Sequence, residues 1–191
     1  MNKIKLNMDR LVCYFFIYSA LGWLLETGYS FLVLGHFENR GFLIGPICPI
    51  YGFGMLIMIL WLSRYRQKPL KLFFLSILVF SIFEYVVSYG LDAIFHLKWW
   101  DYTQDFMNVN GRISLFYSLG WGIIGLVVIH LIHPCIQKIT NPIFQKVPVL
   151  FQDSILKLLV MIAIIDCILS SIGYWEKSSL VATLFSVYWL S

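Results

Sequence analysis

Long apolar runs, separated by short polar connections, dominate the pattern of this sequence. A helix needs about 20 mainly apolar residues to cross the hydrocarbon layer of a membrane, and several runs reach or approach that length. The predicted spans are residues 11–34, 48–63, 71–95, 113–133 and 155–174. The second run is short, and Pro46 and Pro49 exclude a regular helix before Cys48. We therefore predict about five transmembrane helices, with a re-entrant approach to the second.

These runs predict an all-α fold, a polytopic transmembrane helical bundle, and no linker divides residues 1–191 into separate domains. The composition agrees, because 60% of the residues are hydrophobic and 13% are charged, whereas soluble domains contain about 25% charged residues. Prolines interrupt residues 134–154, which we expect at the membrane surface. The final run, residues 178–191, is too short to span, so we expect a half-span, an interfacial helix or a docked tail.

Basic residues are distributed unevenly between the two sides of the predicted bundle. Of the 14 Lys and Arg residues, only four lie on the side that carries residues 35–47 and 96–112. They are Arg40, Lys98, Arg112 and Lys177. Since cytoplasmic loops are enriched in Lys and Arg, we expect a cytoplasmic N-terminus in the plasma membrane. The basic residues occur in short runs beside apolar segments, which argues against nucleic-acid binding despite the net charge of +4.

Acidic residues lie inside three of the predicted spans, where a charge is costly. They are Glu26, Glu84, Asp92 and Asp166. Each costs about 2.5–3.5 kcal/mol near the bilayer centre on insertion scales, so each needs a partner, a proton or water. Serine and glycine recur beside them at helical spacing, which lets helices approach closely. We predict a cavity that is lined by these carboxylates and open to the extracytoplasmic side. The alternative is that the carboxylates only hold the helices together through hydrogen bonds.

The two long connections supply further candidate site residues. They are Arg40, Trp100, Asp101, Tyr102, Asn110 and Arg112. An arginine can pair bidentately with a carboxylate, so the two arginines are the expected counter-charges, unless both only extend to the membrane interface. The aromatic residues are typical of interface anchors as well, and Asp101 either caps the following turn or binds a ligand. No motif predicts a cofactor or a metal ion.

A weak internal similarity links two parts of the chain. Glu26 is followed by Asn39-Arg40, and Glu84 is followed by Asn110-Gly111-Arg112. Tyr18-Ser19 and Gly22-Trp23 are also similar to Tyr117-Ser118 and Gly120-Trp121. Parallel and inverted repeats are both common in transporters, so these similarities suggest a duplicated unit of either kind.

Several short motifs resemble those of a known family of bacterial membrane proteins. They are Tyr18–Glu26, Glu38–Leu43, Cys48–Gly52, Glu84-Tyr85, Trp99–Tyr102 and Asn110–Ile113. Over roughly residues 14–135 the pattern is similar to the type IV ABC-transporter permease family. The resemblance implies a transport role without a defined substrate. Because the chain contains no Walker motif, it also implies a separate ATPase subunit.

Three functions fit these observations, and all of them place the chain among membrane lipids. The first is an integral membrane transport or solute-binding subunit, whose carboxylates take a cationic or hydroxylated small molecule. The alternative is a membrane-embedded enzyme acting on a lipid or lipid-linked substrate at the outer leaflet, with buried carboxylates as acid and base. The third is a structural subunit with no site of its own.

Overall fold

The computed structural model describes the backbone of residues 8–189 and the side chains of residues 8–177, and most of these residues are helical. The helices are α1 (Met8–Leu34), α2 (Pro49–Ile57), α3 (Pro69–Phe95), α4 (Leu115–Val127), α5 (His133–Lys146) and α6 (Val149–Trp189). A π-helical turn at Met58–Leu62 and a 3-10 turn at Ser63–Tyr65 extend α2, and a π-helical turn at Val128–Ile132 joins α4 to α5. The predicted all-α fold is confirmed.

Four helical segments of the described chain are long and apolar enough to cross a membrane. They are Met8–Leu34, Pro69–Phe95, Leu115–Lys146 and Val149–Lys177. They correspond to the first, third, fourth and fifth predicted spans. The second predicted span forms α2 and its two turns. Pro49 is the first residue of α2, where a backbone N–H has no carbonyl partner within the helix, so a proline without this N–H is well tolerated.

The helix that begins at Leu115 continues past the predicted boundary at residue 133. Pro134 would break a regular helix, because it lacks an N–H and its ring clashes with the preceding turn. The π-helical turn widens the backbone just before this proline, and the His133 N–H bonds to the Val128 carbonyl five residues back. Most of residues 134–154 therefore belong to α5 and to the start of α6.

Helix α6 begins earlier and ends later than the fifth predicted span. It contains 41 residues, which corresponds to about 60 Å at the usual helical rise. Its backbone runs without interruption through most of residues 178–191, the predicted half-span or interfacial segment. The side chains of that segment, and residues 190–191 entirely, lie outside the described part of the structure.

The first four helices pack most closely as two antiparallel pairs, α1 with α2 and α3 with α4. Glycine allows each close approach, as is usual between membrane helices. In the first pair Gly52 lies against the Ser19 hydroxyl, and in the second pair Gly125 lies against the Ser76 hydroxyl. A methyl group at either glycine would overlap these atoms.

The two helix pairs are built in the same register. We call α1, α2 and residues 35–48 the first unit, and α3, α4 and residues 96–114 the second unit. When Glu26 is aligned with Glu84, buried positions of α1 coincide with buried positions of α3. The coinciding residues are Tyr14, Tyr18, Gly22 and Ser30 in α1 and Leu72, Ser76, Phe80 and Ser88 in α3.

The second helices of the two units also match. When Gly52 is aligned with Gly122, the π-helical turns Met58–Leu62 and Val128–Ile132 coincide residue for residue. The described structure thus contains two parallel copies of one helix pair.

Both long connections lie at the same end of the bundle, which we call the loop end. The ring of Phe42 lies 5.5 Å from that of Phe95 and 6.0 Å from that of Trp99. Tyr174 of α6 stacks on Phe42 with 5.3 Å between ring centroids. Helix α6 packs against α1 and α3 and leaves most of its described side chains exposed.

Candidate functional site

Glu84 is the most deeply buried carboxylate of the described residues, with 6% of its surface exposed. Both of its oxygens accept hydrogen bonds. The Tyr102 hydroxyl donates to Oε1 over 3.1 Å, and the Trp121 indole donates to Oε2 over 3.0 Å. Helix α3 positions the carboxylate, α4 positions the indole, and the connection between them supplies the phenol, so the second unit satisfies its own acid.

Tyr102 is held in place by its backbone and by its ring. Its N–H donates to the Gly111 carbonyl over 2.8 Å, and its ring stacks on Tyr117 with 4.3 Å between centroids. Burial raises the pKa of Tyr102, and the negative charge of Glu84 raises it further. Tyr102 is therefore a hydrogen-bond donor at every physiological pH.

The other predicted residues of this connection shape the loop around Tyr102. The Trp100 indole donates to the Arg112 carbonyl over 2.9 Å. The Asp101 carboxylate accepts hydrogen bonds from the hydroxyl and backbone N–H of Thr103, and these bonds hold the pKa of Asp101 below its usual range. Asn110 has a positive φ of 53°, which asparagine tolerates better than most residues. The structure thus supports a turn-forming role for Asp101.

Arg112 makes the predicted ion pair, and its partner is Asp92. The two side chains are 2.6 Å apart and only 12% and 31% exposed. The same guanidinium donates to the Ser88 hydroxyl over 3.1 Å. This pair joins the end of the connection back to α3.

Glu26 occupies the same register in the first unit, but its environment is more open. The Tyr51 hydroxyl donates to its Oε1 over 2.7 Å, and within the described residues no donor reaches its other oxygen. Arg40 donates to the Ser30 hydroxyl over 2.6 Å and pairs with Glu38 over 3.0 Å. Neither Arg40 nor Arg112 therefore bonds to Glu26 or Glu84.

Asp166 connects α6 to the first unit. Its two oxygens accept hydrogen bonds from the backbone N–H groups of Ile44 and Gly45, over 2.9 and 2.8 Å. Ser170 donates to the same carboxylate over 3.1 Å. The fourth predicted acid is thus satisfied by backbone groups at the loop end.

Each of the four acids has its own set of partners, and the predicted cavity common to all of them stays a prediction. One cleft, of about 290 Å³, lies between residues 39–44 and α6 at the loop end. Another, of about 330 Å³, lies between the first turns of α1 and α6. Neither of these two clefts is lined by Glu26, Glu84 or Asp92. Across the described residues, no group of three or more His, Cys, Asp or Glu is arranged to hold a metal ion.

Four residues that contact the candidate site were not among the predicted site residues. They are Tyr51, Trp121, Ser30 and Ser88. A signal for the serines is present, because each follows its glutamate by four residues and so lies on the same helical face. Trp121 is typical of an interface anchor. Its neighbours in the sequence do not reveal that it donates to Glu84, which lies 37 positions earlier.

Comparison with known proteins gives one result. A family model with the description "Putative ABC-transporter type IV" matches residues 13–171, a segment that contains all of the second unit, the first unit except the start of α1, and more than half of α6. No curated protein and no solved structure matches the chain. The match confirms the family that the sequence motifs indicated.

Proposed function

Since this chain belongs to the type IV ABC-transporter family, we propose that it is an integral membrane transport subunit with a polar, carboxylate-lined site at the loop end. The observation that carries the proposal is the matched pair Glu26 and Glu84. Each lies on the first helix of a unit, at membrane depth, and accepts a hydrogen bond from an aromatic residue of the second helix. Transporters built from repeats often place their substrate sites where the repeats meet.

The surroundings of the two glutamates support a common polar region. The Tyr51 phenol, which donates to Glu26, lies near the Tyr102 phenol, which donates to Glu84. Ionisable residues within membrane spans usually face the interior of a bundle and belong to substrate or ion pathways. A site between the two units is therefore consistent with these contacts.

Charge distribution supports both the orientation and the class of substrate. Eight of the 12 basic residues among residues 8–177 lie on the side opposite the loop end, so the loop end is extracytoplasmic in this proposal and the N-terminus is cytoplasmic. The loop-end half contains eight acidic residues against four basic ones, which favours a small cationic molecule. Energy for transport would come from a separate ATPase subunit on the cytoplasmic side, because this chain contains no Walker motif.

The proposal is tested by removing each charge without changing the shape of the side chain. We expect Glu26→Gln and Glu84→Gln each to lower transport at least about tenfold, since a charge-assisted contact is worth more than 1.4 kcal/mol in many sites. The measurement is growth of a strain that lacks the gene, under conditions in which the unchanged protein restores growth, with the membrane content of each variant measured by immunoblot.

Glu38→Gln is the matched control, because Glu38 is exposed and its partner is Arg40, not either spanning glutamate. We expect this variant to restore growth fully. If both spanning variants restore growth as well as the unchanged protein, the proposed site is wrong. The same holds if they fail to reach the membrane while the control does, since the carboxylates would then only hold the bundle together.

A further inference from the structure

We infer that the open oxygen of Glu26 binds the N–H group of a primary ammonium, in the position that the Tyr102 hydroxyl occupies on Glu84. The ammonium belongs either to a soluble amine or to a phosphatidylethanolamine headgroup. The inference rests on the proposed function, because it names what the carboxylate of the first unit contacts. It follows from comparing two copies of one site, of which one supplies its own donor.

The two copies match group by group. The matched groups are Glu26 and Glu84, Tyr51 and Trp121, Ser30 and Ser88, and Arg40 and Arg112. In each copy the aromatic side chain donates to the carboxylate, over 2.7 and 3.0 Å. In each copy the arginine donates to the serine, over 2.6 and 3.1 Å. The helices therefore present the two carboxylates in the same way.

The copies differ in the second oxygen of the carboxylate. In the second unit Tyr102 donates to it, and the stack on Tyr117 holds the phenol there. In the first unit the position that matches Tyr117 is Ile47, which has no ring on which a phenol could stack. Within the described chain, Oε2 of Glu26 has no donor, and the residue is partly exposed where Glu84 is buried. A ligand can therefore reach the first carboxylate.

Charge identifies the class of donor. A carboxylate at membrane depth needs a partner, a proton or water. Arg40, the basic residue of the first unit's connection, is bonded to Ser30 and Glu38 instead, so it does not supply this partner. A primary ammonium supplies both the positive charge and N–H donors, and such charge-assisted bonds are about twice as strong as neutral ones. A quaternary ammonium supplies the charge without a donor, so it is the natural control.

The first experiment measures which glutamate is accessible. The protein is treated in phosphatidylcholine nanodiscs with dicyclohexylcarbodiimide, which adds to protonated carboxyl groups in membranes, and the products are located by peptide mass spectrometry. We expect labelling of Glu26 and little of Glu84. Tyr102→Phe removes the phenol hydroxyl and should make Glu84 reactive, whereas Tyr117→Phe keeps the stacking ring and should not. Equal labelling of both glutamates in the unchanged protein would overturn the inference.

The second experiment asks what protects Glu26. Ethanolamine is titrated into the phosphatidylcholine nanodiscs, with tetramethylammonium at equal concentration as the control, and separate nanodiscs contain phosphatidylethanolamine. A ligand at about ten times its dissociation constant leaves about one site in eleven free, so labelling should fall about tenfold. The carbodiimide leaves an acylurea on Glu26, and a carboxyl group that it has activated can also form an amide with ethanolamine. Both products are counted as labelling.

The arms of this experiment distinguish the two sources of the ammonium. Protection by ethanolamine indicates a soluble amine, and protection only in phosphatidylethanolamine nanodiscs indicates a lipid headgroup. Equal protection by tetramethylammonium, or no protection in any arm, overturns the inference. If Glu26→Gln nevertheless abolishes transport in that case, the proposed function stands and only the ammonium assignment fails.

Discussion

The first and second units share the register of their helices but differ in their connections. In the second unit, residues 96–114 fold back on their own helices, where Tyr102 covers Glu84 and Arg112 pairs with Asp92. In the first unit, Arg40 bonds to Ser30 of α1, but Ile44 and Gly45 bond to Asp166 on α6, and no described residue of the connection bonds to Glu26. The repeated helices therefore determine where each carboxylate lies, whereas the connections determine whether it is covered.

The two arginines give the largest expected difference between the units. Arg112→Ala would leave Asp92 without its counter-charge in a mostly buried position, so we expect a loss of about 2–3 kcal/mol in the free energy of unfolding. This is somewhat less than for a fully buried pair. Arg40→Ala removes an exposed pair with Glu38 and should cost at most about 1 kcal/mol. Denaturant unfolding in detergent, followed by tryptophan fluorescence, measures both.

Arg112→Lys sharpens this comparison, because lysine keeps the charge but cannot contact Asp92 and Ser88 through one planar fork. Its stability should fall between those of Arg112→Ala and the unchanged protein. Equal losses for Arg112→Ala and Arg40→Ala would mean that the two connections are equally important to the fold, contrary to the structure.

Each helix pair should also be sensitive to a change at a glycine in its close contact, although Gly22 and Gly122 do not occupy matching positions. A methyl group on Gly22 would overlap the ring of Tyr51, and one on Gly122 would overlap the ring of Phe73. We expect Gly22→Ala and Gly122→Ala each to lower the free energy of unfolding by about 1–2 kcal/mol, because overpacking outweighs the better helix propensity of alanine. Gly22→Ala should also displace Tyr51 from Glu26.

Gly28→Ala and Gly120→Ala are the matched controls, since nothing lies within 4 Å of the added methyl group at either position. Both should leave stability unchanged or raise it by up to about 1 kcal/mol. If neither Gly22→Ala nor Gly122→Ala lowered stability in the same unfolding assay, the close helix contacts at these glycines would not stabilise the fold, contrary to the structure.

The helices and the intramembrane acids were predictable from the sequence, because hydrophobic periodicity and isolated charges are local signals. The continuation past Pro134 was not predictable, since it depends on a π-helical turn that changes which carbonyl each N–H reaches. The partners of the acids were predicted only in part. An ion pair between Arg112 and one of the acids was expected, and its partner Asp92 lies only 20 positions away. The hydrogen bond from Trp121 to Glu84 was not expected, because it depends on how α3 and α4 pack.

The duplication of the helix pair was likewise predictable from the sequence only in part. The sequence offered a weak similarity around Glu26 and Glu84, which differ in the lengths of the connections that follow them. Aligned identities are few, because Gly22 matches Phe80 and Tyr18 matches Ser76. The buried pattern is nevertheless the same, since a packed position requires a fitting shape and not a particular residue.

Asp101 gives the smallest expected effect and tests the turn that begins the second connection. Its pKa is lowered in the folded protein by the bonds from Thr103, so its contribution to stability is present above the unfolded pKa of about 3.9 and is lost as the pH falls through the lower folded value. Asp101→Asn should therefore remove a small part of the acid-dependent loss in thermal stability between about pH 5 and pH 2, measured in detergent by fluorescence. Asp105→Asn is the control, because that carboxyl accepts no hydrogen bond from any described residue. If both variants change the acid dependence equally, the Thr103 bonds do not stabilise the turn, and other bonds of the second connection, such as those of Tyr102 and Arg112, hold it in position.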